Sequence, residues 1–246
     1  MDDPTANSHQ PESAKQVVAL SPSALGDVSL VAALRQHANT DTTIQLAGFD
    51  GQQHFLMGLD LEGNLQVDGS LGDYAFAFNR RTNVVVKGDV GDGCGEGMIS
   101  GSLRVRGSAG VGVGTALSGG TMAIYGNAGP DCGAAMRGGE IFIRGNAGPQ
   151  AAARALWGTI VIGGDADGGL GDSMRGATIF IRGKANMLGR GVREAPLRER
   201  EKLRLGLLLI NAGIRGDVKD FRRIVSEVTL REEANRPRGE INPSWR

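Results

Sequence analysis

The sequence has few aromatic residues, three histidines, two cysteines and no net charge. Because 27 basic residues balance 27 acidic ones, a globally basic nucleic-acid binder and an acidic solvating protein are both excluded. The apolar run at 205–210 is far shorter than the roughly 18 residues of a membrane helix. Residues 1–4 lack the basic and apolar regions of a secretory signal. We therefore expect a cytoplasmic protein that binds neither nucleic acid nor membrane.

Catalytic constellations are also missing. The three histidines, His9, His37 and His54, have no cysteine or carboxylate cluster at ligand spacing. Neither Cys94 nor Cys132 belongs to a CxxC motif, so we expect no iron–sulfur cluster on this chain. No glycine-rich loop stands between a strand and a helix, which excludes a dinucleotide or phosphate loop. The sequence thus predicts no catalytic, cofactor-binding or metal-ligating residue.

Glycine, by contrast, is abundant, with 40 of 246 residues, more than twice its average share of about 7%. Seven glycines recur at intervals of 19 residues: Gly69, Gly88, Gly107, Gly126, Gly145, Gly164 and Gly183. Each interval also holds two apolar residues separated by one variable residue, such as Val84 and Val86, which is typical of a strand with one buried face. A second apolar set, mostly alanine, follows each anchor glycine.

This pattern predicts an all-β, right-handed parallel β-helix, a single-stranded solenoid with 19-residue rungs. The anchor glycines, together with Gly114 and Gly133, mark corners where a side chain would clash or φ must be positive. Cys94 and Cys132 share a column two rungs apart, roughly 9–10 Å, which is too far for a disulfide. Hexapeptide and calcium-binding nonapeptide solenoids close at about 18 residues instead. A polysaccharide lyase would need a wall of carboxylates and basic residues that these rungs lack.

Four segments are expected along the chain: a disordered lead at 1–15, an N-terminal cap at 16–68, the β-helix at 69–192, and a helical tail with an extended C-terminus at 193–246. In the cap we predict a helix at 28–37 after Asp27, and strands at 43–47 and 54–59 joined by a hairpin turn at Asp50 and Gly51. After Gly183 the repeat is expected to fail. The tail is predicted to hold helices at 196–211, ended by Gly213, and at 217–228. Its 13 basic and 9 acidic side chains fit an acidic partner, a contact with the solenoid, or a solvated surface.

The spacing GxxGxxxGxxM connects these observations to a known family. It is carried by Gly107, Gly110 and Gly114, and again by 126–139 with Met136. The pattern resembles the GXGXG β-helix domain at the C-terminal end of the large glutamate synthase subunit, over roughly residues 43–228. The same domain occurs as a stand-alone subunit in N-methylglutamate synthase and, more distantly, in formylmethanofuran dehydrogenase. The segment at 209–224 is similar to the helical tail of the glutamate synthase branch.

The resemblance implies a subunit of an oxidoreductase complex that has no catalytic residues of its own. In that family a glutamine amidotransferase-like subunit releases ammonia, and an FMN-dependent synthase subunit with an iron–sulfur cluster reduces the imine. This chain would then be a rigid scaffold docking the two partners to each other. A structural subunit of a formylmethanofuran dehydrogenase-like complex remains the alternative, and an independent hydrolase or lyase is a third hypothesis.

Six residues are candidates for docking such partners. Arg80, Arg81 and Trp157 depart from their repeat columns, which indicates either a binding spot or a local change of packing. Phe221, Arg222 and Arg223 belong to the tail segment that resembles glutamate synthase.

Overall fold

The computed structural model describes residues 16–21 and 29–235. The strands in this part are β1 (Gln16–Leu20), β2 (Thr42–Ala47), β3 (Asp60–Asp68), β4 (Arg80–Val86), β5 (Ser102–Val105), β6 (Thr121–Ile124), β7 (Arg137–Ile143), β8 (Trp157–Ile162), β9 (Thr178–Ile181), β10 (Val192–Ala195) and β11 (Arg222–Ser226). The helices are α1 (Leu30–His37), α2 (Glu199–Ala212) and α3 (Glu227–Asn235). Strands β1 to β9 pair in parallel in sequence order, and β11 lies antiparallel between β9 and β10.

The predicted parallel β-helix is confirmed, with about seven turns of about 19 residues. Val84 pairs with Leu103, Leu103 with Met122, and so on up the sheet. The residues that face inward from these strands are fully buried, because alternate side chains of a strand point to opposite faces. The alanine column forms a second ladder of parallel bridges, from Ala109 to Ala128 to Ala147.

Two physical requirements explain the corner glycines. A Cβ on Gly145 would lie 2.5 Å from the Gly126 carbonyl oxygen of the previous rung, so the stacked backbones leave no room for a side chain. Gly133 has φ +65°, a left-handed conformation that costs an L-residue roughly 1–2 kcal/mol. The same conformation occurs at Phe76 and Ala152 in the Gly133 column, so other rungs accept the strain.

The predicted hairpin near the N-terminus is wrong. Strand β2 confirms the prediction at 43–47, but residues 54–59 form turns, and β2 pairs in parallel with β3. The His54 amide donates to the Asp73 carbonyl of the next rung, so this stretch is part of a rung. Strand β3 pairs in parallel with β2 before it and with β4 after it, so the sheet continues across residue 69, where the β-helix was expected to begin. Helix α1 confirms the predicted helix at 28–37 from Leu30 onward, whereas its proposed cap, Asp27, and the segments 1–15 and 236–246 lie outside the described residues.

The tail is partly as predicted. Helix α2 ends at Gly213, which has φ 65°, as expected, but begins three residues after Pro196. The predicted helix at 217–228 is wrong: a 3₁₀ turn (Val218–Asp220) leads into β11 and then α3. Strand β11 hydrogen-bonds to β9, so it covers the last parallel edge of the solenoid. The repeat itself fades rather than stopping, since Ala185 and Leu188 still bridge to the preceding rung.

Helix α2 covers the outer face of the last rungs. Ordinarily the middle residue of each short strand points to solvent, but here Phe142, Val161 and Phe180 at that position are buried. They form a second core with the inner side of α2. The rungs before Ala123 carry Gln66, Val85 and Arg104 in the same column, and these residues are not part of the core under the helix.

Candidate functional site

A groove of about 460 Å³ lies where helix α2 ends and the uncovered part of the outer sheet face begins. A ladder of polar side chains forms its floor: Ser102 Oγ donates to Asn83 Oδ1 at 2.9 Å, and Asn83 Nδ2 donates to Asn64 Oδ1 at 3.3 Å. The lining residues are Asn64, Asn83, Ser102, Arg104, Thr121, Glu140, Phe142 and Asn211. The amide and hydroxyl groups of the floor therefore largely satisfy each other.

Among the described residues, Glu140 is the one carboxylate that lines this groove. Burial raises the pKa of its carboxyl group, and Arg204 opposes the rise from 3.9 Å away. Arg204 Nη2 also donates to Thr159 Oγ1 at 3.1 Å, which holds the guanidinium against the sheet. General acid–base catalysis by two carboxylates, or by a carboxylate and a histidine, needs a second titratable partner. The lining residues that the structure describes do not provide one.

The two cysteines lie in the core of the solenoid. Both are free thiols with fully buried side chains. Burial raises the pKa of each thiol to about 12. A thiol is nucleophilic as its thiolate, so neither Cys94 nor Cys132 is suited to nucleophilic catalysis in the folded chain.

Arg80, Arg81 and Trp157 lie along one corner of the solenoid, just before or at the start of the strands. Successive rungs stack there through main-chain hydrogen bonds, such as Ile99 to Asn79 and Leu156 to Met136. We call this corner the basic ridge. Its members all have exposed side chains: Phe78, Arg80, Arg81, Ile99, Arg137, Arg154, Leu156, Trp157 and Arg175.

The basic ridge combines unpaired charge with exposed apolar surface. Arg81 is held by Asp60, with 2.6 Å between Nη2 and Oδ1. The other four arginines of the ridge form no ion pair with any residue that the structure describes. The Trp157 side chain is 51% exposed and lies over Gly176, where a Cβ would be only 2.7 Å from the indole ring. Gly176 thus leaves the space that the indole ring occupies.

The three tail candidates have structural contacts within the chain. Phe221 is 4% exposed and packs in the core beneath helix α2. Arg222 pairs with Glu194 at 3.1 Å and donates to the Gly183 carbonyl. Arg223 is fully buried, which leaves neither it nor Phe221 available to a partner of the folded chain.

Arg223 belongs to a buried ionic cluster that joins the elements of the tail. Its Nε lies 2.8 Å from Glu201 Oε1, out of hydrogen-bond alignment, and its terminal nitrogens donate to Glu233. Arg198 reaches Glu233 from the surface at 3.1 Å. Burial raises the pKa of Glu201. The cluster ties α2, β11 and α3 together.

The outward side of helix α2 is a further surface that sequence reasoning missed. The sequence has apolar residues of this segment at Leu197, Leu203, Leu207, Leu208 and Ile210. Leu197 and Leu208 pack toward the solenoid, together with Leu205, Leu209 and Ala212. Leu203, Leu207 and Ile210 are exposed. A helix that packs against one surface needs only one apolar face. The second apolar face of this helix could therefore have been recognised in the sequence as a surface without a partner in the solenoid.

Comparisons with known proteins add no assignment. No protein-family model matches the chain, and no curated protein matches it. Among the described residues, no three His, Cys, Asp or Glu side chains are grouped to hold a metal ion. In that same part of the chain, no helix has both the length and the apolar character needed to cross a bilayer.

Proposed function

We propose that this protein is a non-catalytic scaffold, a solenoid subunit that holds other subunits of an enzyme complex. Within that class, we propose a glutamate synthase-type complex, with N-methylglutamate synthase as one member. Its partners would be a glutamine amidotransferase-like subunit and an FMN-dependent synthase subunit with an iron–sulfur cluster. Such a complex transfers amide nitrogen or an amine to a 2-oxo acid.

The basic ridge is the observation that supports docking most directly. Four of its five arginines are unpaired among the described residues, and they alternate with exposed Ile99, Leu156 and Trp157. Arginine and tryptophan are enriched among residues that contribute most to protein–protein binding. Since rungs stack about 4.8 Å apart, a ridge that extends over several rungs offers a long, straight contact surface.

A rigid scaffold also has a physical rationale in a complex that moves ammonia between two sites. Fixing the two active sites relative to each other turns an encounter between separate proteins into a transfer within one assembly. The stacked rungs suit this role, because each is hydrogen-bonded to its neighbours along the length of the sheet. The GxxGxxxGxxM spacing gives independent support for the family.

Co-purification from the native cells tests the proposal. The tagged chain should recover an amidotransferase and a flavin protein, identified by mass spectrometry and by the flavin absorbance spectrum. The double variant Arg137→Glu with Trp157→Ala should reduce their recovery at least about tenfold. Arg144→Glu, an exposed charge reversal away from the ridge, is the matched control and should recover both.

Two outcomes would contradict the proposal. Recovery of the chain without other subunits would contradict the proposed scaffold function. Recovery of a pterin-dependent metalloenzyme and an amidohydrolase-like protein would instead support the formylmethanofuran dehydrogenase-like alternative.

A further inference from the structure

Helix α2 has two apolar faces, and only one of them packs against the part of the chain that the structure describes. The inner face packs on the solenoid through Leu205, Leu208 and Leu209. The outer face carries Leu203, Leu207 and Ile210, whose side chains are 73%, 64% and 77% exposed. We call these three residues the outer stripe. No other described residue covers it.

The spacing of the outer stripe is that of a helix–helix contact. Its members are four and three residues apart, which places them on one line along the helix, as in a coiled-coil seam. At 1.5 Å per residue the stripe is about 10 Å long. Scattered single apolar residues are normal on a protein surface, but a continuous line of three large aliphatic side chains marks an interaction site.

We propose that the outer stripe pairs antiparallel with the outer stripe of a second copy of this chain. A twofold axis between Gly206 and Leu207 places Leu203 of one copy opposite Ile210 of the other, at both ends of the contact. The two Leu207 side chains then meet beside the axis.

The charges favour this antiparallel direction. Arg200 lies one turn before Leu203 on the same line of the helix, and it is exposed. Parallel pairing would bring two Arg200 side chains together. Antiparallel pairing brings each one to the C-terminal turn of the other helix, where the carbonyl groups carry partial negative charge. That turn has no basic residue of its own.

The size of the stripe determines the strength of the dimer. A contact about 10 Å long along one helix belongs with interfaces of less than about 1,200 Å², which are weak and reversible. We therefore expect dissociation in the micromolar range rather than an obligate dimer. A scaffold of this kind would bring two sets of partner subunits together at high local concentration.

Sedimentation equilibrium of the purified full chain, from about 1 µM to about 500 µM, is the first test. We expect a concentration-dependent monomer–dimer equilibrium. Leu207→Lys should weaken it at least about tenfold through repulsion at the axis. Val111→Lys, at an exposed apolar position of the solenoid, is the control and should dimerise like the unmodified chain.

Disulfide cross-linking tests the register, since the native thiols are buried and do not interfere. Leu207→Cys should cross-link to itself on mild oxidation. Leu203→Cys alone should not, because the two sulfur positions would be about 10 Å apart along the helices. A mixture of Leu203→Cys and Ile210→Cys chains should cross-link. Circular dichroism of each variant checks that it is folded.

A monomer at every concentration would overturn the proposal, as would cross-linking of Leu203→Cys to itself. Cross-linking of Leu207→Cys in cells to another protein instead of a second copy would also overturn it and assign the stripe to a different subunit. Because sedimentation uses the isolated chain, failure here leaves the scaffold function standing. Loss of co-purifying subunits would leave the dimer standing.

Discussion

The solenoid and the C-terminal tail bury their apolar side chains in different ways. In the solenoid, each rung repeats the same contacts with the rung before and after it, so the core is distributed over the whole length. The tail has one core, under helix α2, and one buried ionic cluster around Arg223. A single change can therefore disrupt the whole tail, whereas a change in the solenoid acts mainly on its own rung and on the two rungs beside it.

The solenoid and the tail should also differ in how easily they open locally. Main-chain hydrogen bonds connect every stacked corner of the solenoid. The tail contacts the solenoid chiefly by side-chain packing on Phe142, Val161 and Phe180 and by β11. We expect the tail to open locally at a lower free energy than the rungs, because locally opening segments are those with fewer buried contacts.

Thiol reactivity provides the largest expected contrast. Since the pKa of Cys94 and Cys132 is raised from 9.0 to about 12, their thiolate fraction at neutral pH falls about a thousandfold. We expect no reaction with a disulfide reagent in the native chain, followed by labelling of both thiols in denaturant. Rapid labelling in native buffer would show that the solenoid core opens.

A reporter thiol in the tail sharpens this contrast. Ala212 is 4% exposed, beneath helix α2. The Ala212→Cys thiol should react before the two solenoid thiols, because opening of the tail is expected to need less free energy. Equal protection of all three thiols would mean that the tail and the solenoid unfold as one unit.

Arg223→Ala should produce the largest loss of stability. It leaves the carboxylates of Glu201 and Glu233 buried without their main partner, which costs about 3–5 kcal/mol. Denaturant unfolding followed at 222 nm for the helices and near 217 nm for the sheet would detect it. We expect the helical signal to be lost at lower denaturant while the sheet signal persists.

Arg222→Ala is the matched control for that variant. Arg222 is a neighbouring arginine whose pairing with Glu194 is solvent-exposed, so its loss should cost about 1 kcal/mol or less. If the two variants lose equal stability, burial of the ionic cluster does not matter to the tail.

Repetition also explains which parts could be predicted from sequence. The same apolar position recurs in successive rungs, as at Val84, Leu103 and Met122, so the predicted strands and corners are supported several times over. A segment that occurs once in the chain has no such repetition to support its predicted structure. Residues 217–228 contain apolar residues at helical spacing, yet tertiary pairing with β9 and β10 makes their centre a strand.

The candidate site shows the same limit. Arg80, Arg81 and Trp157 stood out as departures from their columns. Arg137 and Arg175 follow Arg80 at multiples of 19 residues, so the repeat alone already aligns them. Their exposure and their lack of ion pairs with described residues could be seen only in the structure. The sequence did indicate a covered surface, because consecutive strands carry an apolar residue at the outward position: Phe142, Val161 and Phe180. The partner of that surface could not be identified without the tail's geometry.

Gly145→Val tests the corners of the solenoid. Its Cβ would lie 2.5 Å from the Gly126 carbonyl oxygen, and two stacked backbones cannot move apart without breaking their hydrogen bonds. We expect a loss of about 3 kcal/mol in the free energy of unfolding, measured by urea denaturation. Gly51→Ala is the control: nothing lies within 4 Å of its Cβ position, and φ +69° alone costs about 1 kcal/mol. Equal losses would show that the close approach of the stacked backbones is not what selects glycine at Gly145.

Glu140→Gln tests the boundary between the two regions and should have the smallest effect. Burial raises the pKa of this carboxyl above its ordinary value of 4.5, so the folded state favours the protonated form. Its contribution to stability is therefore present below about pH 4.5 and is lost as the pH rises through the raised pKa. Removing the charge should stabilise the chain by about 0.5 kcal/mol at neutral pH and not at about pH 4, as measured by urea midpoints. A loss of stability at neutral pH would instead mean that attraction to Arg204, 3.9 Å away, outweighs the burial of Glu140 and helps hold the tail on the solenoid.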